Sequence, residues 1–187
     1  MTTTTEATLT GDYTIDIGHS RVGFVARHAM VTKVRGQFND FEGSAHLDFE
    51  NPSASTAELI IQVASVDTRN EQRDGHLRTN DFFDAPNHPQ IVFRSTSAEK
   101  LDDERFRLTG DLSIKETTKP VTIDFAYAGH AKDPFGNIRL GFDGSTTINR
   151  RDWDVTWNAP LETGGVLVSD KVTLELEISA VQTVPAV

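Results

Sequence analysis

DTRNEQRDGHLRTNDFFDAPNHPQIVFRS, residues 67 to 95, is unlike the sequence on either side of it. Both flanks alternate apolar and polar residues in short runs, whereas this stretch is dense in Asp, Arg and His set around Leu77, Phe82 and Phe83. Asp74 is suited to cap a short helix over about Gly75 to Asn80, and Asp81 to start a further turn through Phe83. Pro86 and Pro89 cannot continue a helix and return the chain to an extended run from Ile91 to Ser95. The stretch therefore reads as one short helical insert, about residues 74-84, in a chain of strands. Its charges are suited to bracing one another, Arg73 and Asp74 pinning the insert. Leu77, Phe82 and Phe83 then plug or flank one end of what the strands enclose.

Outward from the insert, a period of two dominates in both directions. Tyr13, Ile15 and Ile17 alternate with polar residues, and Val22, Phe24, Ala26 and His28 fall on one face of the next run. Ala45, Leu47 and Phe49, then Leu59, Ile61 and Val63, continue the pattern up to the insert. Beyond it come Phe106, Leu108, Gly110, Leu112 and Ile114, then Val121, Ile123, Phe125 and Tyr127, then Ile138, Leu140 and Phe142. Val172, Leu174, Leu176 and Ile178 close the series. Turn chemistry separates the runs at Asn51-Pro52, Leu101 to Glu104 and Asp133-Pro134-Phe135-Gly136-Asn137. No helical period is sustained anywhere. The class is all-β, an antiparallel sandwich or barrel of about eight strands, and a barrel of that size can hold one small ligand.

The 187 residues make one domain, expected over 11–182, behind a polar, Thr-rich stretch from Met1 to Thr10 that reads as a disordered tail. A net charge of −10 argues against a nucleic-acid footprint, although it leaves room for one local basic pocket. With no Cys, disulfides and thiolate metal sites are excluded. No apolar run is long enough to span a bilayer as a helix, and the first residues lack the pattern of a secretory signal. The expected location is the cytoplasm. The sequence sets no oligomeric state, and a homodimer is compatible with it.

Groups able to carry chemistry do not converge in the sequence. The six His show no metal-ligand spacing, and no nucleophile elbow or phosphate-binding loop is present. His28 alone shares an apolar face, as a core histidine or as a polar partner for a ligand. Arg27, Arg73, Arg78, Arg94, Arg150 and Arg151 are the cations that could hold an anionic head group. Asn149-Arg150-Arg151-Asp152-Trp153 joins two cations to an aromatic where the strand pattern loosens, as the rim of a cavity would. Eleven Phe against two Met suggest either a packed core or a long apolar cavity. Periodicity reports which face is apolar, and not whether that face encloses space.

Three sets of motifs carry a resemblance. The first is Tyr13-Thr-Ile-Asp16, His19-Ser20, Val22-Gly-Phe24 and His28, followed by Val34-Arg-Gly36-Gln-Phe38 and Phe41-Glu-Gly43. The second runs from Ser65 to Ser95 through Arg73-Asp74, His76-Leu77-Arg78 and Asp81-Phe82-Phe83-Asp84-Ala85. The third is Gly110-Asp111-Leu112-Ser113-Ile114, Lys119-Pro120-Val121 and Ile148-Asn149-Arg150. Over residues 11 to 181 the chain resembles the YceI-like family. The resemblance implies an extended, lipocalin-like antiparallel barrel with a helical insert, enclosing an apolar tunnel for a polyisoprenoid or isoprenoid-quinone-like chain. No enzymatic activity and no cofactor are implied beyond such a bound lipid.

Two positions depart from the family pattern, Glu116 and Asp154, where Gly is usual; both are expected near a mouth. Many relatives also carry a secretory signal. The expected ligand-binding set is Phe24, His28, Phe93, Phe106, Leu108, Phe125, Phe142, Arg150 and Trp153, with Arg150 or His28 as the polar partner. The expected function is binding, carrying or sequestering an isoprenoid lipid. An enzyme using His28 with a nearby acid, and a solidly packed, stress-related interaction module, are the other classes the sequence admits.

Overall fold

The structure, a computed structural model, describes residues 6–183. Alternating runs rich in Val, Ile, Thr and Phe form strands because branched and aromatic side chains pack well on a pleated surface. In chain order these are β1 (Gly11–Ile15), β2 (Arg21–His28), β3 (Thr32–Phe38), β4 (Phe41–Leu47), β5 (Thr56–Gln62) and β6 (Val66–Asp67). After the insert come β7 (Gln90–Lys100), β8 (Arg105–Ile114), β9 (Thr117–Lys132), β10 (Ile138–Asn149) and β11 (Lys171–Gln182). All pairings are antiparallel, as hairpin-connected neighbours require.

The sheet closes into a barrel of eight staves. Two staves are bent. β1 and β2 form one, broken by a single 3-10 turn at Ile17–His19, whose Asp16 cap accepts from Gly18 N at 3.0 Å. β3 and β4 form another, kinked where Asn39 N donates to Ser65 O at 3.2 Å and Asp40 N to Ser65 Oγ at 3.0 Å. Closure falls to β11, which pairs along one edge with β10. Along the other edge it pairs first with β2 (Thr173↔Val25 to Glu177↔Arg21) and then with β1 (Ala180↔Ile15 to Gln182↔Tyr13). A closed ring leaves no long edge open to aggregation.

The insert begins earlier than the sequence suggests. Its helix, α2, spans Glu71–Leu77, and the cap is Asn70, whose side chain accepts from Arg73 N at 2.9 Å. Asp74 is not the cap but a buried residue inside the helix. Its carboxylate accepts from Thr68 N at 2.8 Å and from Thr68 Oγ1 at 2.5 Å. Arg73 locks the same threonine, donating to Thr68 Oγ1 and Thr68 O, each at 2.7 Å. Arg78 ties the insert to the barrel through Ala64 O at 3.0 Å and Val66 O at 3.3 Å. These charges brace the insert as expected, but Arg73, Asp74 and Arg78 do so through Thr68 and backbone carbonyls and not through one another. Asp74, with two orphan donors to satisfy, serves better inward than at a helix end that Asn70 already caps.

The expected disordered tail needs correcting at its inner end. Residues 1–5 lie outside the described residues, but Glu6–Leu9 form a helical turn, α1, and Leu9 is buried against Tyr13, Leu140 and Ala180. Tyr13 Oη donates to Leu9 O at 2.5 Å. A buried phenol needs an acceptor, and the turn supplies it.

Candidate functional site

Inside the staves lies a cavity of about 330 Å³, lined almost wholly by apolar atoms. That places it at the lower end of the ~300–1,000 Å³ usual for small-molecule sites. Every inward Phe of the sequence pattern lines it: Phe24, Phe38, Phe49, Phe93, Phe106, Phe125 and Phe142. Leu77, Phe82 and Phe83 of the insert line it at one end, in the same hydrophobic cluster as Trp153 and Ile114, and Tyr13, Phe49 and Phe106 line it toward the other. The barrel is thus hollow along part of its axis, which periodicity alone could not reveal.

Two glycines explain how so many Phe leave space. Phe24 pairs with Gly36 across β2 and β3, and a Cβ at Gly36 would collide with the end of the Phe24 ring. Gly144 pairs with Phe125, and a Cβ there would lie 2.5 Å from two ring carbons. Each ring therefore lies over a bare stretch of neighbouring backbone, and the lumen stays open. A side chain at either glycine would turn the ring inward.

The wall is weakest where β5 and β7 separate. Their pairing covers only Glu58 to Gln62 against Arg94 to Gln90. A register shift between Ser95 and Ser97 then bends β7, and Ala57 N is satisfied by Ser95 Oγ at 2.8 Å instead of by a ladder bond. Pro52, Ser55 to Ala57, Ala98 and Glu99 line the cavity along this unpaired section.

The expected site residues divide into four groups. Phe24, Phe93, Phe106, Leu108, Phe125 and Phe142 face the cavity together. Arg150 also borders it but is consumed by backbone: it donates to Ser169 O (2.9 Å), Val155 O (2.7 Å), Trp157 O (2.9 Å) and Val168 O (3.4 Å). Only 6% exposed, its guanidinium is held below the ordinary arginine range by burial, against the attraction of Asp170. It clamps the segment after β10 and is not a free head-group partner. Trp153 is buried beside the cavity's end, its indole N–H donating to Leu112 O at 2.8 Å, and does not line the cavity.

His28 keeps its face but has run past the rim, where it is exposed and its backbone bridges Val168. None of the described His lines the cavity. Four of them pair with aspartates instead, His76 with Asp81 at 2.7 Å being one, and His130 meets the Tyr127 hydroxyl at 3.2 Å. No cluster of His, Asp or Glu suited to a metal occurs among the described residues.

Residues missing from the expected set include Tyr13, Phe38, Phe49, Leu59, Ile148 and Leu174, together with the insert's Leu77, Phe82 and Phe83. The strand residues share the period-two face of those that were expected, so alternation alone could have found them. Burial pushes the Tyr13 phenol up to about 12, helped by neighbouring Tyr127. Burial raises Tyr127 as well.

The two departures from the family pattern turn out to be neighbours, and neither lines the cavity. Asp154 has φ of 60°, the left-handed region where Gly is free. Its carboxylate accepts from Thr117 Oγ1 at 3.0 Å, and its carbonyl accepts from Lys115 Nζ at 3.1 Å, either side of Glu116.

A model of the YceI-like domain matches residues 13–180. A UPF0312 protein of Ectopseudomonas mendocina is 38% identical over 150 residues, 79% of this chain and 78% of that protein. Among solved structures, BcnA of Burkholderia cenocepacia superposes with a TM-score of 0.78 at 25% identity, covering 88% of this chain and 98% of that one. A polyisoprenoid binding domain from Saccharophagus degradans, implicated in plant cell wall breakdown, has a TM-score of 0.69 at 13% identity, with 91% and 98% covered. At that identity the likeness speaks for the fold. Among the described residues no helix is long and apolar enough to cross a membrane.

Proposed function

This chain belongs to the YceI-like family, and on that premise we propose that its barrel binds a long apolar isoprenoid chain, of the polyprenyl or isoprenoid-quinone kind, and carries or sequesters it without transforming it. The observation that carries the reading is the lumen itself, hollow and lined by Phe rings laid over Gly36 and Gly144. The Saccharophagus degradans domain of the same fold is a polyisoprenoid binding domain, which supports the assignment of ligand class. Burying apolar chain contributes ~0.8 kcal/mol per methylene, so a five-carbon unit is worth roughly 3–4 kcal/mol before the costs of binding. Several units suffice without a charged anchor, and the cations that border the cavity are already engaged: Arg150 by carbonyls and Arg107 by Asp124 at 2.8 Å. A polar head group stays at the unpaired section between β5 and β7, because desolvating it inside is expensive. No cofactor is needed, and a cytoplasmic location remains part of the proposal.

The test is calorimetric titration of delipidated protein with prenyl alcohols of increasing length. Affinity is expected to rise with each added isoprene unit until the lumen is full, and Leu108→Trp, which fills it, is expected to weaken binding at least tenfold. Failure of the folded protein to take up any prenyl chain, or indifference to Leu108→Trp, would overturn the reading.

A further inference from the structure

The tip of the β2–β3 hairpin is built against its own backbone preference. The turn closes with Val31 N donating to His28 O at 3.0 Å, and its central residues Ala29 and Met30 have φ of 52° and 61°. Left-handed φ at both positions is what selects Asn-Gly in such hairpins. Here one of the positions holds a long apolar side chain. Met30 is 58% exposed and Val31 75%, with Val166 of the adjoining loop also exposed. That loop is tied to the tip, Ala29 N donating to Leu167 O at 2.8 Å. Met30 belongs to neither of the hydrophobic clusters of the described residues.

Directly behind the tip the outer face is basic. Arg27 and Lys33 are register partners across β2 and β3, like charges set opposite one another, an arrangement unfavourable in isolation. Lys171, at the start of the neighbouring β11, borders the same shallow outer depression, as do Met30 and Val166. All three cations are exposed, and among the described residues no carboxylate pairs with any of them. The two carboxylates of that depression are committed elsewhere: Glu175 to Arg21 (3.1 Å) and Arg35 (3.4 Å), and Asp170 to Arg151 (2.8 Å). On a chain of net charge −10, a patch of unneutralised cations beneath an apolar tip is complementary to an anionic surface that an apolar group can enter.

We propose that this face, Met30 and Val31 with Arg27, Lys33 and Lys171, docks the protein on an anionic lipid bilayer. The apolar tip enters the boundary between head groups and acyl chains, and the cations meet the head groups behind it. An acidic protein would satisfy the cations but would leave no reason for a projecting apolar tip in a strained turn. Ala26, which faces the cavity, also borders the outer depression, so the docked face is the outside of the ligand wall. The inference does not depend on what the barrel holds.

The test is co-sedimentation of the full chain with vesicles of phosphatidylglycerol in phosphatidylcholine, beside vesicles of phosphatidylcholine alone. Retention is expected on the anionic vesicles only, and is expected to fall as salt is added. Each cation near such a surface is worth about fivefold, so Arg27→Gln with Lys33→Gln and Lys171→Gln is expected to lower affinity about a hundredfold. Met30→Asn with Val31→Ser is expected to weaken retention while the melting temperature holds or rises, because Asn suits the left-handed turn. Equal partition onto neutral vesicles, no retention at low salt, or retention unchanged in both variants would overturn the proposal. So would capture by an acidic protein in the absence of vesicle binding.

Discussion

Arg150 shows how a charge can be mistaken for a site, and Asp74 how one can be mistaken for a helix cap. Both are buried ionic side chains, Arg150 bordering the cavity and Asp74 inside the insert, and both spend their hydrogen-bonding capacity on the chain itself. Arg150→Met leaves the carbonyls of Ser169, Val155 and Trp157 without their side-chain donor, whereas Val168 O keeps Asn158 Nδ2 at 2.8 Å, and the expected cost is about 3 kcal/mol or more. Thermal melting should show a large loss of stability, while prenyl affinity measured on the remaining folded protein changes little. Asp74→Ala strips Thr68 N and Thr68 Oγ1 of their acceptor, and about 2–3 kcal/mol is expected for those two orphaned donors. Here too the melting temperature is expected to fall further than lipid affinity, and the reverse ranking would place the ligand on the insert. The sequence marked both residues as notable, but not in which direction their donors or acceptors point. His28 failed for a related reason: period two assigns a face correctly but does not say where a strand leaves the barrel.

At the scale of elements, strands were legible because alternation is a long-range signal repeated many times over. The helix start was not, because Asn70 and Asp74 are both good capping residues and only the packing of Thr68 chooses between them. The hollow lumen was also out of reach, since it depends on which residue lies across the ladder from each Phe. Register set Gly36 opposite Phe24 and Gly144 opposite Phe125, and register is a property of paired strands. Gly144→Ala is expected to force the Phe125 ring off the wall at a stability cost of about 1–3 kcal/mol. Calorimetry should then show weaker binding of long prenyl chains than of short ones. Unchanged chain-length dependence would mean that the ring escapes outward.

For the whole molecule, closure is the feature that no single stretch announces. β11 reaches two bent halves of one stave, and Arg139 clasps the far end by binding Asp133 at 2.9 Å and Asp16 at 2.7 Å. Burial alone would raise Asp133. Hydrogen bonds from Asn137 N, the Arg139 guanidinium, the Asn137 side chain and Phe135 N outweigh it and lower the group to about 2. The hydrogen bond from Arg139, then that from His19, lowers Asp16 below its ordinary value as well. A carboxylate whose folded value lies below its unfolded one stabilises the fold above the unfolded value and loses that contribution as pH falls through the folded one. Melting temperature is therefore expected to fall between pH 3.8 and about 2, and less steeply in Asp133→Asn.

The central claim is that the lumen of this YceI-like barrel is a berth for a prenyl chain. Solvent extraction of the natively purified protein, followed by mass spectrometry of what it releases, tests this most directly. A stoichiometric lipid whose fragments are spaced by isoprene units is expected, depleted in Leu108→Trp. Recovery of an empty barrel, or of straight acyl chains alone in both proteins, would contradict it.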